Sequence, residues 1–329
     1  MRIITPEDSS GGIIIIMLNL FGSYLKKRFG TTVHKVNVDA GFTCPNRDGT
    51  VGWGGCIYCN NDSFRPPEAR PSLSIKEQIR NGIAHVSKRY GAKKFLVYFQ
   101  PYTNTYAPVE KLEKLYKEAL SEEGVIGLAI GTRPDCVDEE KLTMLKELAK
   151  NYFILIEYGL QSIYDKTLEF INRGHDFNTF LKALDMTVGR NIHIGAHIIL
   201  GFPTETREEM LHMANVISEL PLEFLKIHQL QVVKDTVLEK IYSTNPFHTF
   251  TYEEYLELLV DFLERLSPEI VLQRLFAVAP DNLLIAPRWD IPKNKIINDI
   301  MNLMKKRQTY QGKEWLAHQL LLSPSNTVR

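Results

Sequence analysis

Cysteine is scarce here, with four residues in 329, and three of them, Cys44, Cys56 and Cys59, fall in one short stretch. So few cysteines exclude a disulfide-built scaffold. Net charge is also lacking, since 39 Lys and Arg balance 39 Asp and Glu. No global field therefore recruits nucleic acid or an anionic membrane. The basic runs Lys26-Lys27-Arg28 and Lys305-Lys306-Arg307 adjoin helical patterns and read as solvated faces. Long hydrophobic runs are missing, and Ile13 to Met17 is far too short to span a bilayer. The flank Pro6-Glu7-Asp8 is acidic, unlike the basic start of a secretory signal. These absences lead us to expect a soluble cytoplasmic protein without a membrane partner. Residues 1 to 16 read as a poorly ordered extension, with Met17 an alternative start and folded chain from residue 18.

What is present is concentrated in GFTCPNRDGTVGWGGCIYCNNDSF, residues 41 to 64. The cysteines are spaced C-x11-C-x2-C, and Gly41, Gly49, Gly52, Gly54 and Gly55 surround them. Glycine admits positive φ and close backbone approach, so such a loop can close around a small object. The short step lets two sulfurs reach one centre while the long arm returns a third. Structural zinc needs four closed ligands, and the fourth would have to be a distant histidine such as His34. An iron–sulfur cubane accepts thiolates, and three of them leave one iron open. Both readings stand at this point.

The rest of the first 235 residues alternates between two periodicities. Val33 to Val38, Lys94 to Phe99, Val125 to Ile130, Phe153 to Tyr158, Ile192 to Leu200 and Phe224 to Val232 read as buried strands. Between them lie amphipathic helices, two opened by capping boxes at Ser74–Glu77 and Thr206–Glu209. Six strand–helix steps with right-handed crossovers predict an α/β fold, a partial (β/α)6 TIM-like barrel or a wound sheet, over residues 18–235. Residues 236–329 predict a mixed, mainly helical extension packed on the barrel. In it a helix runs from Thr251, Glu269 to Val278 could be a strand, and Pro292 to Arg307 is helical. Ligands of parallel α/β folds sit at the carboxyl ends of the strands. That rule gathers the cysteine loop, Gln100 to Tyr106, Gly131 to Cys136, Gly159 to Ser162, Gly201 to Thr204 and His228 to Gln231 at one rim.

A cysteine triad after the first strand, IEYGLQSIYDKTLEFINRGHDF at the fourth and HIILGFPTET at the fifth resemble the radical S-adenosylmethionine (SAM) superfamily. With IGTRPDCV, they resemble its branch containing the Elongator catalytic subunit and the methylthiotransferases. GFTCPNRDGT with its cysteine spacing is closer still to the YhcC/YtqA group of bacterial proteins. The resemblance implies that Cys44, Cys56 and Cys59 bind three irons of one 4Fe–4S cluster, with SAM chelating the fourth. It implies Tyr58 against the adenine, Gln161 on a ribose hydroxyl, and the backbone of Ile199 to Gly201 framing the base. Arg173 would meet the methionine carboxylate, which suits its planar fork.

Three positions depart from the superfamily's habit. The usual Gly-Gly segment reads Gln100-Pro101-Tyr102-Thr103-Asn104, so the amine contact would fall to the backbone or to Thr103. Gly131 replaces a common Glu, and His197 a ribose-binding Asp. Cys136, at the same rim, would donate a hydrogen atom or carry a covalent intermediate, or would simply be a small buried thiol. The implied reaction is reductive cleavage of SAM to a 5′-deoxyadenosyl radical that takes hydrogen from an unnamed substrate, an RNA base by analogy. The implied partner is an electron donor such as flavodoxin or ferredoxin. The rivals are a zinc-stabilised α/β binding module and an RNA-binding protein without redox chemistry.

Overall fold

The computed structural model describes residues 17–61 and 71–322. The expected extension, residues 1 to 16, and the last residues of the cysteine stretch lie outside the described residues. Strands β1 (Val33–Val38), β2 (Lys94–Phe99), β3 (Val125–Thr132), β4 (Phe153–Gln161), β5 (His193–Leu200) and β6 (Phe224–Gln229) pair in sequence order, all parallel. A seventh parallel strand, β8 (Val271–Arg274), joins β6. The sheet is a curled, open half-barrel of the kind expected.

Helices α1 (Phe21–Phe29), α2 (Ile75–Tyr90), α3 (Val109–Leu120), α4 (Glu139–Ala149), α5 (Asp165–Phe170), α6 (Phe177–Thr187) and α7 (Arg207–Ser218) accompany the first six strands. Beyond them come α8 (Val237–Thr244), α9 (Tyr252–Arg265), α10 (Lys293–Lys306) and α11 (Lys313–Leu322). Capping boxes at Ser74–Glu77, Thr206–Glu209 and Thr251–Glu254 start α2, α7 and α9, each satisfying two orphan amides. The helices bury their stripes, such as Ile79, Tyr116, Leu145, Phe180 and Met213, against the outer face of the sheet.

The inner face is layered. Leu96, Ala129, Leu155, Phe153 and Phe224 form an apolar floor, and α1 closes it from below with Phe21 and Leu25. The Phe224 ring meets Phe21 and Tyr24 edge-on at centroid distances of 5.3 and 5.1 Å.

Two elements differ from expectation. The sixth strand stops at Gln229, three residues early, because Val232–Val233 turns away as β7 and pairs antiparallel with β9 (Leu284–Ala286). The strand expected over 269–278 shortens to β8, after which a side chain takes over the pairing. Gln229 donates to the Ala277 carbonyl and accepts from its amide, both at 2.8 Å. Among the described residues no helix is long and apolar enough to cross a membrane.

The floor generates a stability prediction. Phe224→Ala removes the ring shared by α1 and the sheet and should cost about 3–5 kcal/mol. Urea unfolding followed by circular dichroism measures it, and an unchanged midpoint would contradict the layered packing.

Candidate active site

The loop after β1 is tied down at both ends of its cysteine pair. The Cys59 amide donates to the Cys56 carbonyl (3.0 Å), and the Arg47 amide to the Cys44 carbonyl (2.8 Å). Between the paired cysteines, the Ile57 amide donates to Ile171 O (3.0 Å) and its carbonyl accepts from the Leu238 amide (2.8 Å). Asn172 donates to Gly55 O (2.9 Å), and Arg47 to Cys59 O (2.7 Å). The loop therefore sits on the turn after α5 and under the start of α8.

That turn delivers Arg173, only 6% exposed, to the sulfur of Cys56. Its Nη1 lies 3.4 Å from Cys56 Sγ, and its Nη2 donates to Gly159 O at 2.6 Å. Burial disfavours its charge, but Cys56, Tyr58 and Cys44 beside it together outweigh that and raise its pKa. Both Nη atoms are thus engaged, and Nε is the one without a partner among the described residues.

Gly159 lies where β4 slips register against β5, and Gln161 beyond it takes a left-handed φ of 73°. A bulge of this kind re-aims a side chain at a strand end. A Cβ at Gly159 would lie 2.6 Å from Arg173 Nη2 and 2.8 Å from Gln161 Nε2. Glycine is what lets both side chains lie there.

One cavity at the carboxyl ends of the strands is lined by Cys44, Cys56, Cys59, Tyr58, Gln161 and Arg173. Thr103, His197 and Ile199 line it too. Thr103 commits its amide to Thr43 O and its carbonyl to the Tyr106 amide. The segment around it is held by Asn104, whose amide donates to Phe99, Pro101 and Gly131 carbonyls. Sequence reasoning missed that anchor, although a buried asparagine in a turn must find such partners.

Two expected residues are not in the lining. Cys136 is buried in a short 3-10 turn, 3.7 Å from Asp135 Oδ1, and burial followed by the Asp135 charge pushes its thiol up to about 12. Gly201, at φ 101°, leaves room for Phe250, whose ring a Cβ would approach to 2.6 Å. Its conformation answers packing by the C-terminal region. His34 is outside the lining too. It stacks on Tyr90 at 4.8 Å near the start of β1, roughly 13 Å along the strand from the loop end. His34, the example named from sequence as a fourth zinc ligand, does not line the cysteine cavity.

Below the cysteines the cavity reaches a charged layer that the sequence reading passed over. Glu157 joins Lys226 at 2.5 Å and Lys35 at 2.9 Å, and Lys226 also donates to Tyr98 OH at 2.7 Å. Burial would raise the Glu157 pKa, but the two ammonium groups hold it well below the usual carboxylate range. Burial takes Lys226 down to about 7 despite Glu157. His197 and His228 meet edge-on at 4.1 Å, and burial holds both imidazoles well below their usual value. The signal was there to read. A charge inside a parallel strand covered on both faces must have a buried partner.

Among the described residues, no three His, Cys, Asp or Glu side chains converge on one metal ion. A mononuclear zinc site needs that convergence, whereas a cubane asks three sulfurs to reach three separate irons. The cavity does fit a polar cofactor. Gln161 Oε1, Arg173 Nε and His197 Nε2 are buried with no hydrogen-bond partner in the protein. Native buried polar groups are rarely left so.

The profile described as the radical SAM superfamily matches residues 44–217, and the one described as the radical SAM C-terminal domain matches residues 222–306. The chain belongs to the radical SAM superfamily. It is 42% identical to the uncharacterized protein MJ0486 of Methanocaldococcus jannaschii over 89% of this chain and 90% of that one. It is 37% identical to protein YhcC of Escherichia coli strain K12 over 83% of this chain and 87% of that one. The solved structure of Methanocaldococcus infernus Elp3 with an N-terminal deletion superposes with a TM-score of 0.67 at 18% identity. That match covers 85% of this chain and 64% of that one. The likeness to Elp3, at 18% identity, is one of fold. Membership implies an enzyme with a 4Fe–4S cluster, SAM and a source of electrons.

Two predictions follow from the geometry. Gly159→Ala should weaken SAM binding about tenfold or more by displacing Arg173 and Gln161, with melting temperature little changed. Equilibrium binding of SAM to the anaerobic protein measures it, and unaltered affinity would contradict the crowding. Glu157→Gln should cost about 3–5 kcal/mol at pH 7 by removing the carboxylate that keeps Lys226 and Lys35 charged. Because the folded carboxyl lies below its unfolded value of about 4.3, its stabilisation is present above that pH and lost as pH falls. The difference in urea midpoint between the two proteins should narrow below about pH 4. A constant difference would refute the ion-pair account.

Proposed function

We propose that Cys44, Cys56 and Cys59 hold one 4Fe–4S cluster at the cavity mouth. The enzyme would cleave SAM reductively there and act on a substrate seated in the half-barrel. When bound and reduced, such a cluster supplies the electron that splits SAM into methionine and a 5′-deoxyadenosyl radical, which takes a hydrogen atom from substrate. The observation carrying this reading is the set of orphaned polar atoms on Gln161, Arg173 and His197 in the cavity that the three cysteines line.

The chain's own residues have definable parts. Arg173 would steady the Cys56 sulfur through Nη1 and offer Nε to the carboxylate of methionine. Gln161 would accept from a ribose hydroxyl through its free Oε1, and His197 would take the place of the customary Asp. Tyr58 and Ile199 would cover the adenine, and the Thr103 hydroxyl would face the amine. Apolar walls and the α1 plug would keep water and stray hydrogen donors from the reacting atoms. Cys136, outside the lining, has no part in this scheme.

A flavodoxin or ferredoxin would be a suitable electron donor. The RNA-base reading rests on likeness to the Elongator branch, and likeness of fold does not carry a substrate. The charge balance of the chain favours a small molecule over a polyanion.

Cys56→Ala should abolish both the brown cluster and formation of 5′-deoxyadenosine from SAM under anaerobic reduction, with the far-ultraviolet circular dichroism unchanged. A Cys56→Ala protein that still carries the cluster and cleaves SAM would refute the ligand assignment. A colourless wild-type protein containing stoichiometric zinc would support the binding-module rival.

A further inference from the structure

The cavity floor carries an excess of positive charge that the cofactor reading does not use. Among the described residues lining the cavity, Glu157 is the one carboxylate, and it is already shared by Lys226 and Lys35. Arg274, at the end of β8, lines the same cavity with no carboxylate of its own. Its hydrogen bond runs from Nη1 to His228 Nε2, 3.2 Å away. That contact orients the guanidinium without neutralising it, since burial keeps His228 uncharged and acting as the acceptor. His228 in turn meets the His197 ring edge-on at 4.1 Å, which places Arg274 beyond the residues assigned to SAM.

We propose that this floor is the substrate subsite for an anionic group, a carboxylate or a phosphate, gripped by Arg274. His228 holds the guanidinium fork in place. The inference rests on reading the cavity as the reaction chamber, and it names the chemistry of the molecule that enters it. A guanidinium with fixed orientation and no protein carboxylate matches the planar acceptors of either group bidentately. Arg274 is itself exposed at the cavity wall, so its grip on an incoming anion comes from the fork's geometry and the surplus of cations around it. Helix α1 seals the lumen from below, so the group would enter from the cysteine side with the rest of the molecule lying toward SAM. The subsite thus places the hydrogen-bearing carbon between the anion grip and the cluster loop. The same enclosure favours a small molecule over a nucleic-acid strand.

The test is calorimetric titration of the anaerobically reconstituted, SAM-bound protein with inorganic phosphate, pyrophosphate, succinate and the neutral control succinamide. The expected result is one saturable site for at least one anion and none for succinamide. Arg274→Gln should weaken that site about tenfold or more, and Arg274→Lys less. Lys305→Gln, a surface charge on α10, should bind as wild type does. Tighter phosphate or pyrophosphate assigns a phosphorylated substrate, and tighter succinate a carboxylic acid. No saturable anion binding, or equal binding by Arg274→Gln, would overturn the proposal. Formation of 5′-deoxyadenosine is assayed separately on the same preparation. Anion binding without SAM cleavage would fault the functional reading and leave the subsite standing, and cleavage without anion binding would do the reverse.

Discussion

The Arg173 guanidinium joins the two halves of the site. It spans from the bulged end of β4, where it donates to the Gly159 carbonyl, to the sulfur of Cys56 on the loop after β1. A buried cation needs such partners, and each is supplied by a different part of the chain. Arg133 reinforces the arrangement by donating to the Arg173 carbonyl at 2.7 Å while pairing with Asp135. The cysteine loop is thereby held against the barrel before any metal is bound. Several orphaned atoms nearby are then poised for a ligand rather than for the protein.

The same logic orders the lumen from bottom to top. Aromatic and aliphatic side chains, sealed by α1, exclude water from the floor. On that floor rest Lys35 and Lys226, whose ammonium groups lie 4.6 and 4.5 Å from the centre of the Tyr98 ring. Glu157 binds both. Above them stand the imidazoles, Arg274, and then the cysteine rim. Polarity rises toward the mouth, so a bound molecule would meet charge at its inner end and the cluster loop at its outer end.

Much of this was legible in the sequence. The first two strands begin and end where their apolar runs do, and the three capping boxes start three helices. Local chemistry specifies such elements. The cysteine spacing and the Gln161 and Arg173 positions were legible because they sit in short motifs at strand and helix ends, and the cavity gathers them. The Lys35–Glu157–Lys226 layer was not, since its members come from three strands and pair only once the sheet curls. The seventh strand was legible as a strand over 269–278, but its length and its place in the sheet were not. It shortens to Val271–Arg274, whose place is set by pairing with β6 and by the Gln229 side chain. The packing of Phe250 on Gly201 was not legible, because the two lie almost fifty residues apart.

The account depends most on three sulfurs presenting a cluster whose fourth iron is open to SAM. Mössbauer spectroscopy of the ⁵⁷Fe-reconstituted protein, before and after SAM is added, examines that claim directly. The account predicts one 4Fe–4S cluster per chain with a single iron whose signal changes when SAM binds. Four irons unaffected by SAM, or a protein that takes up no iron, would contradict it.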